Sequence, residues 1–100
     1  MTVKHIVIWG LAATDETEKA EALATIESAL TGLVGRVPSI LSLTVGVNGA
    51  YPDENSDVAV VADFADYEGL EAYQTHPDHL EVAALIRTLV SSRAAIDYEY

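Results

Sequence analysis

The sequence contains no cysteine, only five lysine and arginine residues, and a single tryptophan, phenylalanine and methionine among its 100 residues. Without cysteine the chain can form neither a disulfide bond nor a thiolate nucleophile, which fits a reducing cytoplasm, where we expect the protein to be located. Its longest apolar runs, such as IVIWGLAA and VAVVA, are far too short to span a bilayer. The segment MTVKHIVIWG has no small-residue cleavage site, so it is not expected to be a secretory signal.

Positive charge is also scarce, because sixteen acidic residues give the chain a formal net charge of −11. Such a surface repels phosphate backbones and anionic lipids, so we expect neither nucleic acid nor a membrane as a partner. The sequence has no phosphate-binding loop, no glycine-rich dinucleotide fingerprint and no serine-nucleophile elbow. No metal and no cofactor are therefore predicted.

Hydrophobic periodicity predicts one domain over residues 1–100 with the element order β-α-β-β-α-β. The second helix is broken at Pro77, which suits the first position of a new helical segment. The predicted strands are Val3–Leu11, 41–48, Val58–Phe64 and 94–100, and the predicted helices are 14–35, 67–75 and 77–92.

This order is typical of an α+β, ferredoxin-like βαββαβ fold, with both helices on one face of a four-stranded antiparallel sheet. The first strand is apolar on both faces, and we assign Val7 and Trp9 to the face without helices. Nothing in the chain remains to cover that face. We therefore expect a homodimer in which two sheets pack face to face as an eight-stranded α+β barrel. Its interior could be filled by side chains or hold a small ligand.

The stretches VKHIVIWGL, VPSILSLTVGVN, VADFADYEGLEAYQTHPDHLEV and AAIDYEY resemble the stress-responsive A/B barrel domain (Dabb) family over nearly the whole chain. The most specific piece is the aromatic-x-x-His-Pro-x-His run that begins at Tyr73 and ends at His79. The resemblance implies a dimeric α+β barrel without implying one activity.

One plant member of the family, olivetolic acid cyclase, closes a polyketide ring by an aldol condensation. By motif position its working tyrosine and histidine correspond to Tyr73 and His79, and a histidine on its first strand corresponds to His5. A further histidine of the cyclase is replaced by Val58, which we place in the ligand cavity with Val7 and Trp9.

The residues themselves give the predicted catalytic groups a chemical rationale. His79 is at the third position of the helix that begins at Pro77, where the helix dipole favours the neutral imidazole. A neutral histidine can act as a general base near pH 7. Tyr73 could donate its phenolic O–H to a carbonyl, and His5 would add a third polar group to an apolar pocket.

Each of these residues also has a purely structural interpretation. His76, directly before the proline, is expected to cap a helix, and His79 could simply form a hydrogen bond across the helix junction. The neighbouring tyrosine could be a core residue. His5 could be bonded to Asp97 or Tyr98 on the last strand.

Two functions therefore remain open. In the first, the homodimer binds a small hydrophobic carbonyl compound and carries out cofactor-independent, polyketide cyclase-like acid/base chemistry on it. In the second, the protein is a non-catalytic, stress-responsive protective dimer whose interior is filled by side chains. An open cavity at the histidines would favour the first function.

Overall fold

The computed structural model describes all 100 residues and confirms the predicted element order, with the second helix split in two. The last strand begins before residue 94, because Val90 to Arg93 already pair with the end of the first strand. None of the helices is long and apolar enough to cross a membrane. The elements are β1 (Val3–Leu11), α1 (Glu16–Thr31), β2 (Ser42–Val47), β3 (Val58–Phe64), α2 (Tyr67–Thr75), α3 (Pro77–Arg87) and β4 (Val90–Glu99).

The four strands form one antiparallel sheet in the order β2-β3-β1-β4, which is the ferredoxin-like arrangement. β2 and β3 form a hairpin, and β1 lies between β3 and β4. The register places His5 opposite Ala62 on one side and opposite Asp97 on the other. A residue near the start of the chain is thereby brought next to a carboxylate near its end.

Side-chain caps fix where the helices begin. The Asp15 side chain accepts a hydrogen bond from the backbone N–H of Glu18 at 2.8 Å, and Asp66 does the same for Gly69 at 2.8 Å. Such caps satisfy N–H groups that have no partner inside the helix. Aspartate is favoured at this position because its carboxylate accepts these bonds.

The helices cover the sheet face that carries the odd-numbered residues of β1, which are all buried. Val7 and Trp9 belong to this set, so their assignment to the face without helices was wrong. Both faces of β1 are apolar, and alternation alone does not indicate which of them the helices cover. The main buried cluster on the covered face includes Val3, Val7, Trp9, Leu11, Ile26, Leu30, Leu33, Val37, Val58, Val60, Phe64, Leu70, Tyr73 and Ile86.

The opposite face of the sheet, which we call the open face, is covered by no element of the chain. Ile6 lies at its centre, paired in register with Val61 of β3 and Ile96 of β4. Ile8 and Ile96 are 40% and 58% exposed. An apolar surface of this kind marks an interaction site in a small protein.

The open face ends in a polar cluster around Asp63. This carboxylate accepts hydrogen bonds of 2.6 Å from both the Ser42 and Tyr100 hydroxyls and pairs with the Lys4 ammonium at 3.2 Å. The hydrogen bond from Ser42, followed by that from Tyr100, holds the pKa of Asp63 below its usual value. The apolar part of the open face therefore has a polar border at this end.

The cap on α2 gives a first test of the fold. Asp66→Ala removes the hydrogen bond to Gly69 and is expected to lower the free energy of unfolding by about 1 kcal/mol in urea denaturation. Asp53→Ala is the matched control, because Asp53 is an exposed turn residue whose replacement should change stability by less than about 0.5 kcal/mol. Equal losses in the two variants would contradict a capping role.

Candidate active site

A cavity of about 550 Å³ lies between the helices and the covered face of the sheet, within a single chain. Its apolar walls include Val7 and Trp9 from β1 and Val82 and Ile86 from α3. The volume is within the range of small-molecule sites, and the mixture of apolar walls with a few polar groups is typical of them. We expected the ligand to lie between two sheets, whereas this cavity lies within one chain.

Val7 and Trp9 line this cavity, whereas Val58 does not. Val58 is opposite Trp9 in the β1–β3 register and is buried in the core. The prediction for Val58 was wrong because it rested on matching one position of the cyclase, with no information on how far the cavity extends along β3.

Three polar aromatic side chains meet at one end of the cavity. The centroid of the Tyr73 ring lies 4.2 Å from that of His79 and 5.8 Å from that of His5. Phe64 packs against this group, with its ring centroid 5.1 Å from that of Tyr73. The structure therefore brings together the three residues that we predicted to be catalytic, and all three line the cavity.

Tyr73 is 1% exposed, yet its hydroxyl forms no hydrogen bond with another group of the protein. Burial raises the pKa of Tyr73 to about 12. The phenol therefore stays protonated at all ordinary pH values. It offers an O–H donor at the cavity wall that is free to bind an acceptor atom of a ligand.

His79 is held by the backbone at the end of α2. Its Nδ1 lies 3.1 Å from the carbonyl oxygen of Gln74, and since a carbonyl can only accept, Nδ1 carries the proton. Burial lowers the pKa of His79; the Gln74 carbonyl opposes this effect, and electrostatic interactions with His5, Arg87 and Arg93 add to it. In the neutral ring Nε2 is therefore an unprotonated base.

His5 is also oriented by a partner. It is 2% exposed, and its Nδ1 is hydrogen-bonded to the Asp97 carboxylate across the β1–β4 register. Asp97, rather than Tyr98, is thus the partner of His5 on the last strand, because Tyr98 alternates to the other face. A carboxylate on one ring nitrogen fixes the orientation of the other nitrogen.

His76 has the structural role that we predicted. Its Nδ1 accepts a hydrogen bond of 3.1 Å from the backbone N–H of Asp78 and so caps α3. His76 does not line the cavity. No group of three histidine, aspartate or glutamate side chains is placed to hold a metal ion.

Several polar residues of the cavity were not predicted from the sequence. Gln74 lines it beside the tyrosine, and Arg87 and Arg93 line it together with Ser91 and Ser92. The arginines carried one available signal, since they are two of only five basic residues in an acidic chain. Their scarcity does not indicate where they lie in the fold. For Arg93 this requires the register of β4.

Residues 3–100 match the profile of the stress-responsive A/B barrel domain family. The chain belongs to this family. No curated protein matches the chain significantly.

Among solved structures, this Dabb chain is similar to a dimeric protein of ferredoxin-like fold from Bacteroides fragilis. The two are 29% identical with a TM-score of 0.88, covering 99% of this chain and 96% of the other. A dimeric ferredoxin-like protein from Thermobifida fusca is 30% identical with a TM-score of 0.82, covering 100% and 92%. A hydroxynitrile lyase from Passiflora edulis shares the fold at 16% identity with a TM-score of 0.71, covering 97% and 91%.

The environment of His79 generates a prediction about pH. Its pKa in the folded protein lies below the ordinary 6.5, so the unfolded chain binds the proton more readily. The free energy of unfolding should therefore decrease as the pH falls from about 6.5 through the folded pKa of His79. His79→Gln should abolish this contribution to the decrease. Titration of the His79 ring protons by NMR, with urea unfolding of both proteins between neutral and mildly acidic pH, measures the effect. A midpoint at or above 6.5 would contradict the buried, neutral imidazole.

Proposed function

We propose that this Dabb protein is a homodimer whose subunits each bind a small hydrophobic carbonyl compound and catalyse cofactor-independent acid/base chemistry on it. Tyr73 and His79 act directly on the substrate, and His5 is a third polar contact held by Asp97. The observation that supports this best is the unpartnered Tyr73 hydroxyl beside the His79 ring, at the end of an apolar cavity.

The reaction begins at a carbon next to the carbonyl group. His79 Nε2 takes the proton from this carbon, the C–H electron pair forms the enolate, and the ring becomes imidazolium. Tyr73 donates a hydrogen bond to the enolate oxygen, where the negative charge develops. The enolate carbon then attacks a second carbonyl of the same molecule, whose oxygen receives the proton from His79, and a ring is closed.

The electrostatics of the site favour these roles. A base must be unprotonated before it can act, and burial keeps the pKa of His79 below its usual value. A donor to an oxyanion must keep its proton, and the pKa of Tyr73 is about 12. The two groups therefore hold the required protonation states together over the whole neutral range.

The open cavity favours this function over a purely protective dimer. In the protective alternative the interior is filled by side chains, whereas about 550 Å³ is open beside Tyr73 and His79. The hydroxynitrile lyase from Passiflora edulis adds a fold-level analogy, because it is an enzyme built on the same fold.

Homodimer formation is supported by a different observation. Ile6, Ile8, Val61 and Ile96 form an apolar surface on the open face that no element of the chain covers. Two solved proteins with the same fold, at 29% and 30% identity, are described as dimeric. Packing of two open faces would bury this surface and leave both cavities on the outer, helix-covered sides.

Variants of the two catalytic groups test the proposed chemistry. The expected activity is exchange of the α-hydrogens of 2-nonanone for deuterium, followed by NMR. Tyr73→Phe should slow the exchange by about 10²-fold, the effect of one oxyanion donor, and His79→Gln should slow it by about 10²-fold or more, the effect of a general base.

His76→Asn is the matched control for these variants, because asparagine can keep the cap on α3 and His76 does not line the cavity. Its exchange rate should equal that of the unaltered protein. Exchange that is equally fast in Tyr73→Phe, His79→Gln and the control would exclude the proposed catalytic roles.

The homodimer has a separate test on the open face. Sedimentation should give twice the chain mass of 10.7 kDa, and the melting temperature should rise with protein concentration. Ile8→Lys, at a position 40% exposed, should produce monomers because a lysine would be buried without a partner. Val34→Lys is the control, since Val34 is 53% exposed but lies after α1, away from the open face. A monomeric unaltered protein at micromolar concentration would overturn the homodimer.

A further inference from the structure

Two of the five basic side chains of this acidic protein face the cavity. Arg87 is the last residue of α3, and Arg93 is on β4 opposite Trp9. Neither guanidinium forms an ion pair within the protein, because the two ion pairs of the chain lie at Asp63 and at His5. With sixteen carboxylates available, two unpaired arginines at one cavity need an explanation.

The arginines lie at the opposite end of the cavity from the catalytic group. Arg87 follows His79 by eight positions on α3, which corresponds to about 12 Å along the helix. Arg93 is opposite Trp9, which follows His5 by four positions on β1, or about 13 Å along the strand. Val90, three residues after the end of α3, pairs with the last residue of β1, so both arginines are at the same end.

The strand that carries Arg93 is fixed to β1 beside the cavity. Ser92 accepts a hydrogen bond from the backbone N–H of Gly10 at 3.1 Å, and the Ser91 hydroxyl donates to the carbonyl of Leu11 at 3.2 Å. These bonds hold the start of β4 at the β-bulge between Gly10 and Leu11. The backbone of Arg93 is thus anchored, and its long side chain stays free to meet a ligand.

No aspartate or glutamate lines the cavity, whereas Arg87 and Arg93 do. The pKa of His79 is lowered first by burial and then, among charged neighbours, by His5, Arg87 and Arg93, and no carboxylate raises it. The Asp97 carboxylate is bonded to His5 at the end with Tyr73 and His79, so the unpaired positive charge lies at the end with the arginines. Unpaired positive charge at this end attracts anions and repels cations.

We propose that the ligand of the cavity carries a carboxylate group that is bound by Arg87 and Arg93 at the end opposite Tyr73 and His79. This inference rests on the proposed function and narrows it, from a hydrophobic carbonyl compound to a hydrophobic oxo-carboxylic acid. The carboxylate fits because a planar guanidinium donates two parallel hydrogen bonds to it. The aliphatic body of the acid lies along Val82 and Ile86, between the arginines and the catalytic group.

The chain provides its own probe for this proposal. Trp9 is the only tryptophan and lines the cavity, so its fluorescence reports occupancy directly. The full-length protein is titrated at neutral pH with octanoate, decanoate and dodecanoate, and with decanol and decyl phosphate. Decanoate should bind more tightly than decanol of the same chain length, and added salt should weaken only the binding of the acids.

The double variant Arg87→Met, Arg93→Met should weaken decanoate binding about tenfold, because each exposed charge pair contributes about two- to fivefold. Methionine keeps an apolar stem of similar length, so decanol binding should not change. The same variant should raise the pKa of His79 measured by NMR. Arg36→Met is the matched control, since Arg36 is exposed and outside the cavity, and it should leave all three measurements unchanged.

The possible outcomes separate this proposal from the proposed function. Equal affinities for decanoate and decanol, unchanged in the double variant, would overturn the carboxylate site and leave an apolar cavity with its catalytic group. Tighter binding of decyl phosphate than of decanoate would also overturn it, because the anion would then be a phosphate. No fluorescence response to any acid or alcohol of the series would contradict both the carboxylate site and the proposed function.

Discussion

Tyr73 and His79 face each other because the chain leaves the helical conformation for one residue between them. His76 is extended, with φ −63° and ψ 134°, and Pro77 begins the next helix. In an uninterrupted helix six residues turn through about 600°, so the two side chains would lie about 120° apart around the axis. Across the break their ring centroids are 4.2 Å apart. Proline enforces the break, because it has no N–H and disfavours the helical conformation in the residue before it. The site therefore depends on a backbone interruption, with His76 capping the second helix where the first one ends.

The same arrangement determines how Tyr73 and His79 are charged. Tyr73 and His79 are enclosed by the helices and the covered face of the sheet, and burial disfavours the charged form of each. Tyr73 therefore keeps its proton, and His79 stays an unprotonated base. Burial thus keeps one group as a proton donor and the other as a proton acceptor. The Gln74 carbonyl then selects which nitrogen of His79 is the base, since it accepts the hydrogen bond of Nδ1.

The sequence contained enough information for the element order, because this depends on local signals, and the family resemblance supplied the three candidate site residues. Asp66 and Pro77 mark helix starts, and the His-Pro-x-His run is continuous in the chain. Which face of β1 the helices cover could not be predicted, because both faces are apolar and alternation is symmetrical between them. Arg93 was missed for a related reason. Its position at the cavity follows from the pairing of β4 with β1, a contact between residues far apart in sequence.

The last strand carries residues on both faces of the sheet and so links dimer formation to the candidate active site. Along β4, Ile96 is on the open face, whereas Arg93 and Asp97 are on the face with the cavity. β4 is an edge strand that pairs only with β1, and almost all of it is exposed in the single chain.

A partner that packs on the open face would hold this strand through Ile96. Because neighbouring residues of a strand point to opposite faces, the same contact would steady the carboxylate of Asp97 that orients His5. In the proposed homodimer, the cavity of each subunit thus contains only its own residues, while the order of its last strand depends on the partner.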